Sequence, residues 1–142
     1  MKMNKVREVG DDIVATLAKL CHESNRVFCQ SIDDDSQPSW EAAPDWQKDS
    51  AFDGVRNLIK NPAFTAQQNH ENWVRHKTAD NWIYGDKKSE EYKTHPCLKR
   101  YELLPENQRV KDHIFRSVVL GFLETFLTGN EVESLAEEIR LR

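Results

Sequence analysis

Apolar residues recur every three or four positions along most of the chain, which is the period of helices with one buried face. The first such stretch follows Asp11 and Asp12, and its apolar positions are Ile13, Leu17, Leu20 and Cys21. We expect this helix to reach about Gln30 and to have ended by Pro38, because proline disfavours helical geometry in the residue before it.

Two further helices are marked by prolines and by a capping sequence. Pro44 suits the first turn of a second helix, and Pro62 ends it. The sequence Thr65-Ala66-Gln67-Gln68 matches a capping box, which predicts that a third helix begins there. The third helix would carry three candidate functional residues on one face: His70, Trp73 and Lys77.

The helical period is lost between Asn81 and about Tyr92, and it returns near the C-terminus. The run from Trp82 to Lys88 indicates a short strand followed by a turn, and hence a β-hairpin. Pro105 then opens the longest helix, and Thr128-Gly129-Asn130 separates it from a last amphipathic helix. The pattern predicts a mostly α fold, a compact helical domain with a short β-hairpin near residues 82–93.

Composition and charge exclude several classes of protein. The chain has 142 residues, of which 38% are hydrophobic, and its formal net charge is −4. A chain of this length can bury a sizeable core, and the lack of a basic excess argues against binding a nucleic acid polymer. No apolar run is long enough for a membrane span, and the N-terminus lacks the apolar core of a signal peptide, so we expect no membrane partner.

The usual motifs of enzymes and metal sites are missing from the sequence. Three scattered cysteines favour a reducing, cytoplasmic location over a disulfide framework. His-Glu occurs at residues 22 and 70 without the second histidine of a zinc-protease helix, and the five glycines form no phosphate-binding loop. We therefore expect no catalytic residue, no metal and no cofactor.

A similar order of residues occurs twice along the chain. His22-Glu23 is followed by Pro38, Trp40, Pro44 and Gln47, and His70-Glu71 is followed by Pro96, Tyr101, Pro105 and Gln108. The steps from aromatic residue to second proline to glutamine are four and then three residues in both halves. Either this is coincidence, or two similar helical units pack about a pseudo-twofold axis with a ligand groove between them.

Aromatic rings alternate with cationic groups in the second half. Residues 70–116 contain ten Lys or Arg against eight Asp or Glu, in a chain that is acidic overall. A flat ligand can stack on Trp or Tyr, and four residues are candidates to meet its phosphate or ribose: Lys77, Lys87, His95 and Arg26. The alternative is structural, because the aromatic residues at positions 82, 84 and 101 can equally pack a hairpin onto the helices.

These residues closely resemble the RyR domain, the repeat named after the ryanodine receptors. The resemblance rests on two elements, Trp-x-Tyr-Gly at residues 82–85 and His-Pro-Cys-Leu-x-x-Tyr at residues 95–101, and on single residues around them: His70-Glu71, Trp73, Lys77, Leu104 and Asp112. Two departures are Asn81, where the family usually has glycine, and Lys99-Arg100, where a proline commonly precedes the tyrosine.

The resemblance covers residues 45–123 and suggests how a single domain, residues 1–142, is organised. We assign residues 1–44 to an N-terminal helix and loop extension, 45–123 to the RyR-like domain, and 130–142 to a C-terminal amphipathic helix. The segment around Cys21–Arg26 is similar to the extension of stand-alone phage and bacterial members. That last helix either folds back on the core or docks on a partner, and we favour a homodimer.

The resemblance also implies a function. The family is described as helical with short β segments and without known catalysis, and its prokaryotic members are suspected of capturing nucleotide-derived ligands. We expect a non-catalytic protein that binds or sequesters such a signal, with Trp73 as the stacking residue by resemblance. The complete candidate site is Trp73, Lys77, Trp82, Tyr84, Lys87, His95, Tyr101 and Arg26. The alternative is a protein-interaction module whose Trp and Tyr cluster is the interface.

Overall fold

The structure, a computed structural model, describes residues 2–142 and the side chains of residues 7–142. It contains five helices: α1 (Lys2–Ser31), α2 (Asp45–Lys60), α3 (Ala66–Ala79), α4 (Glu106–Phe126) and α5 (Gly129–Arg140). Two short strands, β1 (Ile83–Tyr84) and β2 (Thr94–His95), and a 3-10 turn at Tyr101–Leu103 lie between α3 and α4. The mostly helical fold predicted from the sequence is confirmed.

One hydrophobic core is shared by α1, α2, α4 and α5. The apolar stripe of α1 supplies Leu17 and Cys21, which are fully buried against Leu58 of α2 and Val119 of α4. Leu135 of α5 completes the same cluster. Residues of the predicted N-terminal extension and C-terminal helix therefore pack into the same core as the segment between them.

Local sequence signals explain most of the helix ends. Thr65 caps α3 as predicted, because its side chain accepts from the Gln68 backbone while the Gln68 side chain accepts from the Thr65 backbone. The same reciprocal pair joins Thr128 and Glu131 at the start of α5. Such caps satisfy backbone N–H groups that the first turn of a helix leaves without partners.

The first helix begins earlier than the hydrophobic pattern indicates, at Lys2 rather than near Asp11. Its N-terminal half is held by α5, which lies far away in the sequence. A Cβ atom on Gly10 would lie 2.8 Å from a Leu135 methyl carbon, so glycine is what permits this close approach. Arg142 adds an ion pair to Asp11 with an N–O distance of 2.6 Å. The local pattern of apolar residues cannot predict a contact with a helix so distant in the sequence.

The predicted β-hairpin is wrong, although a strand does occur at Ile83–Tyr84. β1 and β2 are parallel, with Ile83 opposite Thr94 and Tyr84 opposite His95. Parallel strands cannot be joined by a tight turn, and here the chain loops back between residues 85 and 93. Lys93 completes the reversal with a left-handed φ of 53°, and this conformation is not evident from the sequence.

The apolar face of α5 is covered within the chain. Leu135, Ala136 and Ile139 are buried, and α5 packs against α1 and α2. The predicted homodimer was motivated by an apolar face without a partner, and that face is covered within the chain.

In the part of the chain that the structure describes, no helix is both long enough and apolar enough to cross a membrane.

Candidate ligand-binding site

The helical pairs α1–α2 and α3–α4 repeat the same contacts. His22 Nε2 lies 2.7 Å from the carbonyl oxygen of Pro38, and His70 Nε2 lies 2.7 Å from that of Lys99. In each pair the acceptor is two residues before the aromatic residue noted in the sequence. The His22 and Trp40 rings are 5.6 Å apart, and those of His70 and Tyr101 are 6.0 Å apart.

The second helix of each pair also begins alike. Pro44 and Pro105 are both extended N-caps, with ψ angles of 156° and 152°. Ten residues after each proline stand Gly54 and Phe115, and these two positions are in direct contact. A Cβ atom on Gly54 would lie 3.0 Å from the Phe115 ring, so this position has no room for a larger side chain. These contacts support the interpretation of the sequence pattern as an internal repeat.

A cavity of about 230 Å³, which we call the cationic cavity, lies between the two helical pairs. Five pairs of corresponding positions line it: His22 and His70, Asn25 and Trp73, Gln47 and Gln108, Ser50 and Lys111, and Ala51 and Asp112. Trp46 of α2, His95 of β2, and Lys88 and Cys97 from the adjoining loops also line it. The predicted groove between two units therefore exists.

The positive charges of the cationic cavity come from Lys88 and Lys111. Burial and the nearby Lys111 ammonium lower the pKa of Lys88. Asp112 is the carboxylate in the same lining, and burial raises its pKa to about 7. Near neutral pH this carboxyl is therefore partly protonated and only partly offsets the two ammonium groups, so the cavity is suited to an anion.

His95 is a neutral hydrogen-bond donor on the wall of the cationic cavity. Its Nδ1 accepts from the Cys97 backbone N–H at 3.0 Å, which places the proton of the neutral ring on Nε2. Burial, followed by the Lys88 and Lys77 charges, lowers the pKa of His95 to about 3. The ring therefore stays uncharged at neutral pH and can still donate from Nε2.

Two indole rings form an aromatic wall. Trp46 and Trp73 both meet His95 edge-on, with ring centroids 6.2 Å and 4.9 Å away. Behind Trp46, the ring of Trp82 is 5.0 Å away and is only 3% exposed. Trp82 therefore fixes the wall from behind, while Trp46 and Trp73 face the cavities.

A second cavity of about 400 Å³, which we call the acidic cavity, shares the wall formed by Trp46 and Trp73. Four carboxyl side chains line it: Asp49, Asp53, Asp80 and Asp112, the last of which also lines the cationic cavity. Lys77 also lines it and is 8% exposed, with its ammonium 5.1 Å from the centre of the Trp46 ring and 4.9 Å from that of Trp82. Burial lowers the pKa of Lys77, while the nearby aspartates oppose that effect.

The structure brings only some of the predicted site residues together. Trp73 lines both cavities, His95 lines the cationic cavity, and Lys77 lines the acidic one. Trp82 is a buried support rather than a cavity residue. Trp82 lines neither cavity, because its ring is enclosed by Trp46 and Lys77.

The other predicted residues lie away from both cavities. Lys87 is exposed, and the Tyr84 hydroxyl bonds to Asp86 on the surface. Tyr101 packs against His70 as part of the repeated framework. Arg26 pairs with Glu23, with an N–O distance of 2.9 Å, rather than reaching a cavity.

Sequence reasoning missed several lining residues. Nothing in the sequence singles out Trp46 or the exposed Lys88 as a site residue, although each lines a cavity. Lys111 carries no motif of its own, and only the internal repeat could have indicated it, whereas Asp112 is one of the residues that carry the family resemblance. They stand six and seven residues after Pro105, where Ser50 and Ala51 follow Pro44.

The departure at Asn81 leaves the local geometry intact. Asn81 has a left-handed φ of 66°, which glycine adopts freely and asparagine tolerates better than most residues. The Trp82 N–H then bonds to the Lys77 carbonyl at 2.9 Å, so the chain leaves α3 with the indole turned inward.

Among residues 7–142, no group of three His, Cys, Asp or Glu side chains is placed to hold a metal ion.

The arrangement defines a class of protein: a small helical domain with ligand-sized cavities between two related helix pairs. A family model described as RyR domain matches residues 56–129, from within α2 to the first residue of α5. The chain belongs to the RyR domain family, as its motifs indicated. No solved structure matches the chain.

Proposed function

We propose that this protein is a non-catalytic binder of a small, flat, anionic ligand of the nucleotide-derived class. The observation that carries the proposal is the pairing of two ammonium groups, Lys88 and Lys111, with an indole wall in one cavity. The mutual repulsion of the two cations contributes to the lowered pKa of Lys88. A bound phosphate would relieve that repulsion and accept charge-assisted hydrogen bonds.

The aromatic wall favours a ligand that also carries a ring. Trp46 and Trp73 border the cationic cavity next to His95, a neutral donor. Stacking of a nucleobase on an indole contributes about 1–3 kcal/mol. A cytoplasmic protein that sequesters a nucleotide signal, in a bacterium or a phage-infected cell, would use such a site; this part of the proposal rests on the family resemblance.

The absence of catalysis is also part of the proposal. Cys97, the thiol in the cavity lining, has a raised pKa because of burial, which disfavours its nucleophilic thiolate form. His95 carries little positive charge near neutral pH because burial lowers its pKa to about 3. Both observations favour a binding pocket over a reaction centre.

The test is a thermal-shift and calorimetric screen against mono-, di- and cyclic nucleotides, with inorganic phosphate as the minimal anion. A ligand at 100 times its dissociation constant adds about 2.7 kcal/mol of stability, which for a chain of this size raises the melting temperature by about 5–10 °C. The bound compound is then released by denaturation and identified by mass spectrometry. Intact ligand supports the proposal, and recovery of a converted product contradicts it.

A protein-interaction module is the second candidate, and one feature favours it. Ile83, Tyr84 and Tyr92 are apolar or aromatic residues with exposed fractions of 62%, 51% and 73% near the small sheet. Such residues are typical anchors of interfaces. If no nucleotide in the screen binds, this exposed surface becomes the favoured functional site.

A further inference from the structure

We propose that the acidic cavity is a sugar subsite, so that the ligand binds across both cavities with its phosphate in the cationic one. This inference rests on the proposed function, and it adds a second contact region and a defined orientation. The two cavities share Trp46, Ser50, Trp73, Asp112 and Phe115, so one molecule can reach from one to the other.

The lining of the acidic cavity contains buried polar groups that need a partner. Asn69 lines it, and both its Oδ1 and Nδ2 atoms are buried with no hydrogen-bond partner among the described residues. Lys77 is more than nine-tenths buried, and among the side chains of residues 7–142 its ammonium meets two indole faces in place of a carboxylate. A buried polar group without a partner is costly, so a ligand that completes these bonds is favoured.

The chemistry of this lining matches hydroxyl groups. Asn69 offers one acceptor and two donors, Lys77 offers donors, and the carboxylates of Asp49, Asp53 and Asp80 accept. A hydroxyl both donates and accepts, and two vicinal hydroxyls on one ring can engage donors and acceptors that alternate in this way. Trp46 and Trp73 also line this cavity and add apolar surface for the carbon side of a sugar ring.

The carboxylates of the acidic cavity also disfavour binding of the phosphate end of the ligand there. The three carboxylates that line only the acidic cavity repel a phosphate from it, and Lys88 and Lys111 attract the phosphate to the cationic cavity. The difference in charge between the cavities therefore fixes the orientation. The ligand class is a sugar phosphate ester with free vicinal hydroxyls, of which a ribonucleotide is the simplest aromatic-bearing example.

The test compares AMP and ADP with their 2′,3′-dideoxy counterparts by calorimetric titration of the wild-type protein. We expect each dideoxy compound to bind at least tenfold more weakly, because it leaves the polar groups of the acidic cavity without partners. Equal affinity of the ribose and dideoxy forms would overturn the sugar subsite and leave the proposed function standing. No binding by any of the four compounds would also overturn the subsite. The proposed function falls with it only if the full nucleotide screen is silent as well.

Two variants sharpen the result. Asn69→Ala should weaken AMP or ADP binding about tenfold and leave binding of the dideoxy form unchanged, since the lost partner is the hydroxyl. Asn107→Ala, on an exposed position of α4 outside both cavities, is the matched control and should bind both forms as wild type does. An Asn69→Ala protein that loses ribose and dideoxy forms equally would assign Asn69 to packing and overturn its role in the subsite. The comparison of ligands on the wild-type protein does not depend on whether this variant folds.

Discussion

The α1–α2 and α3–α4 pairs hold their loops with the same histidine bond but present different chemistry to the cationic cavity. Three residues after the histidine, the first pair has Asn25 and the second has Trp73. Six residues after the capping proline, the first pair has Ser50, whereas the second has the charged Lys111. The framework is thus shared by both halves, and each half supplies one indole of the wall, while the charged groups of the cationic cavity come from the second half.

The second pair also has a longer connection. The histidine and its carbonyl acceptor are 16 residues apart in the first pair and 29 apart in the second. The extra chain contains β1 and the approach to β2, and it delivers Lys88 to the cavity. A framework of two similar halves can therefore bind an asymmetric ligand when an insertion adds functional groups to only one half.

The largest expected effect concerns the residue that anchors this insertion. Trp82→Ala should lower the free energy of unfolding by about 3–5 kcal/mol, because a buried aromatic side chain leaves a cavity that the structure cannot fill. Trp82 is 3% exposed and lies against Trp46 and Lys77. Urea unfolding followed by circular dichroism measures the change. A loss below about 1 kcal/mol would mean that the insertion is not anchored by this ring.

The shared framework can be broken in either half. His22→Ala and His70→Ala should each lower the free energy of unfolding by about 1–3 kcal/mol, since each removes the partner of a loop carbonyl. His76→Ala is the control, because His76 is exposed, and it should change stability by less than about 0.5 kcal/mol. A large loss in one half and none in the other would contradict the equivalence of the two pairs.

A smaller expected effect depends on pH and arises in the second half only. The position equivalent to Asp112 in the first half is Ala51, which does not titrate. The folded protein raises the pKa of Asp112 from 3.8 to about 7, so between these values it binds a proton that the unfolded chain releases. The contribution of Asp112 to stability is therefore present at low pH and is lost as the pH rises through about 7.

The variant Asp112→Asn isolates this contribution. Relative to wild type it should be more stable at about pH 8.5 than at about pH 5, where the wild-type carboxyl is already protonated. His95 acts in the opposite direction, because its pKa is lowered to about 3, but it titrates alike in both proteins and cancels in the comparison. A difference between variant and wild type that does not change with pH would contradict the buried state of this carboxyl.

Sequence reasoning recovered the helices because their signals are local. The capping box at Thr65 and the prolines before α2 and α4 depend on residues within one turn, and all three were predicted. The parallel pairing of β1 and β2 was missed, because it depends on a loop reversal at Lys93 rather than on alternation of residue types.

The candidate site was harder to predict, because the position of each side chain in the fold decides it. Lys87 and Lys88 are adjacent, chemically identical and both exposed, yet only Lys88 lines a cavity. Trp46 and Trp82 are likewise indistinguishable by type, and the fold turns one toward the cavities and encloses the other. Trp73 and His95 were identified because family motifs contain them, whereas Lys111 lies on an ordinary helix face.

The most direct test of the account uses the adjacent lysines as a matched pair. ADP is titrated calorimetrically into Lys88→Gln and Lys87→Gln, which make the same change in charge one residue apart. We expect Lys88→Gln to weaken binding about tenfold, since a charge-assisted hydrogen bond contributes about 1.5–3 kcal/mol, and Lys87→Gln to bind within about twofold of wild type. Equal affinities in the two variants would contradict the claim that the cationic cavity holds the anionic group.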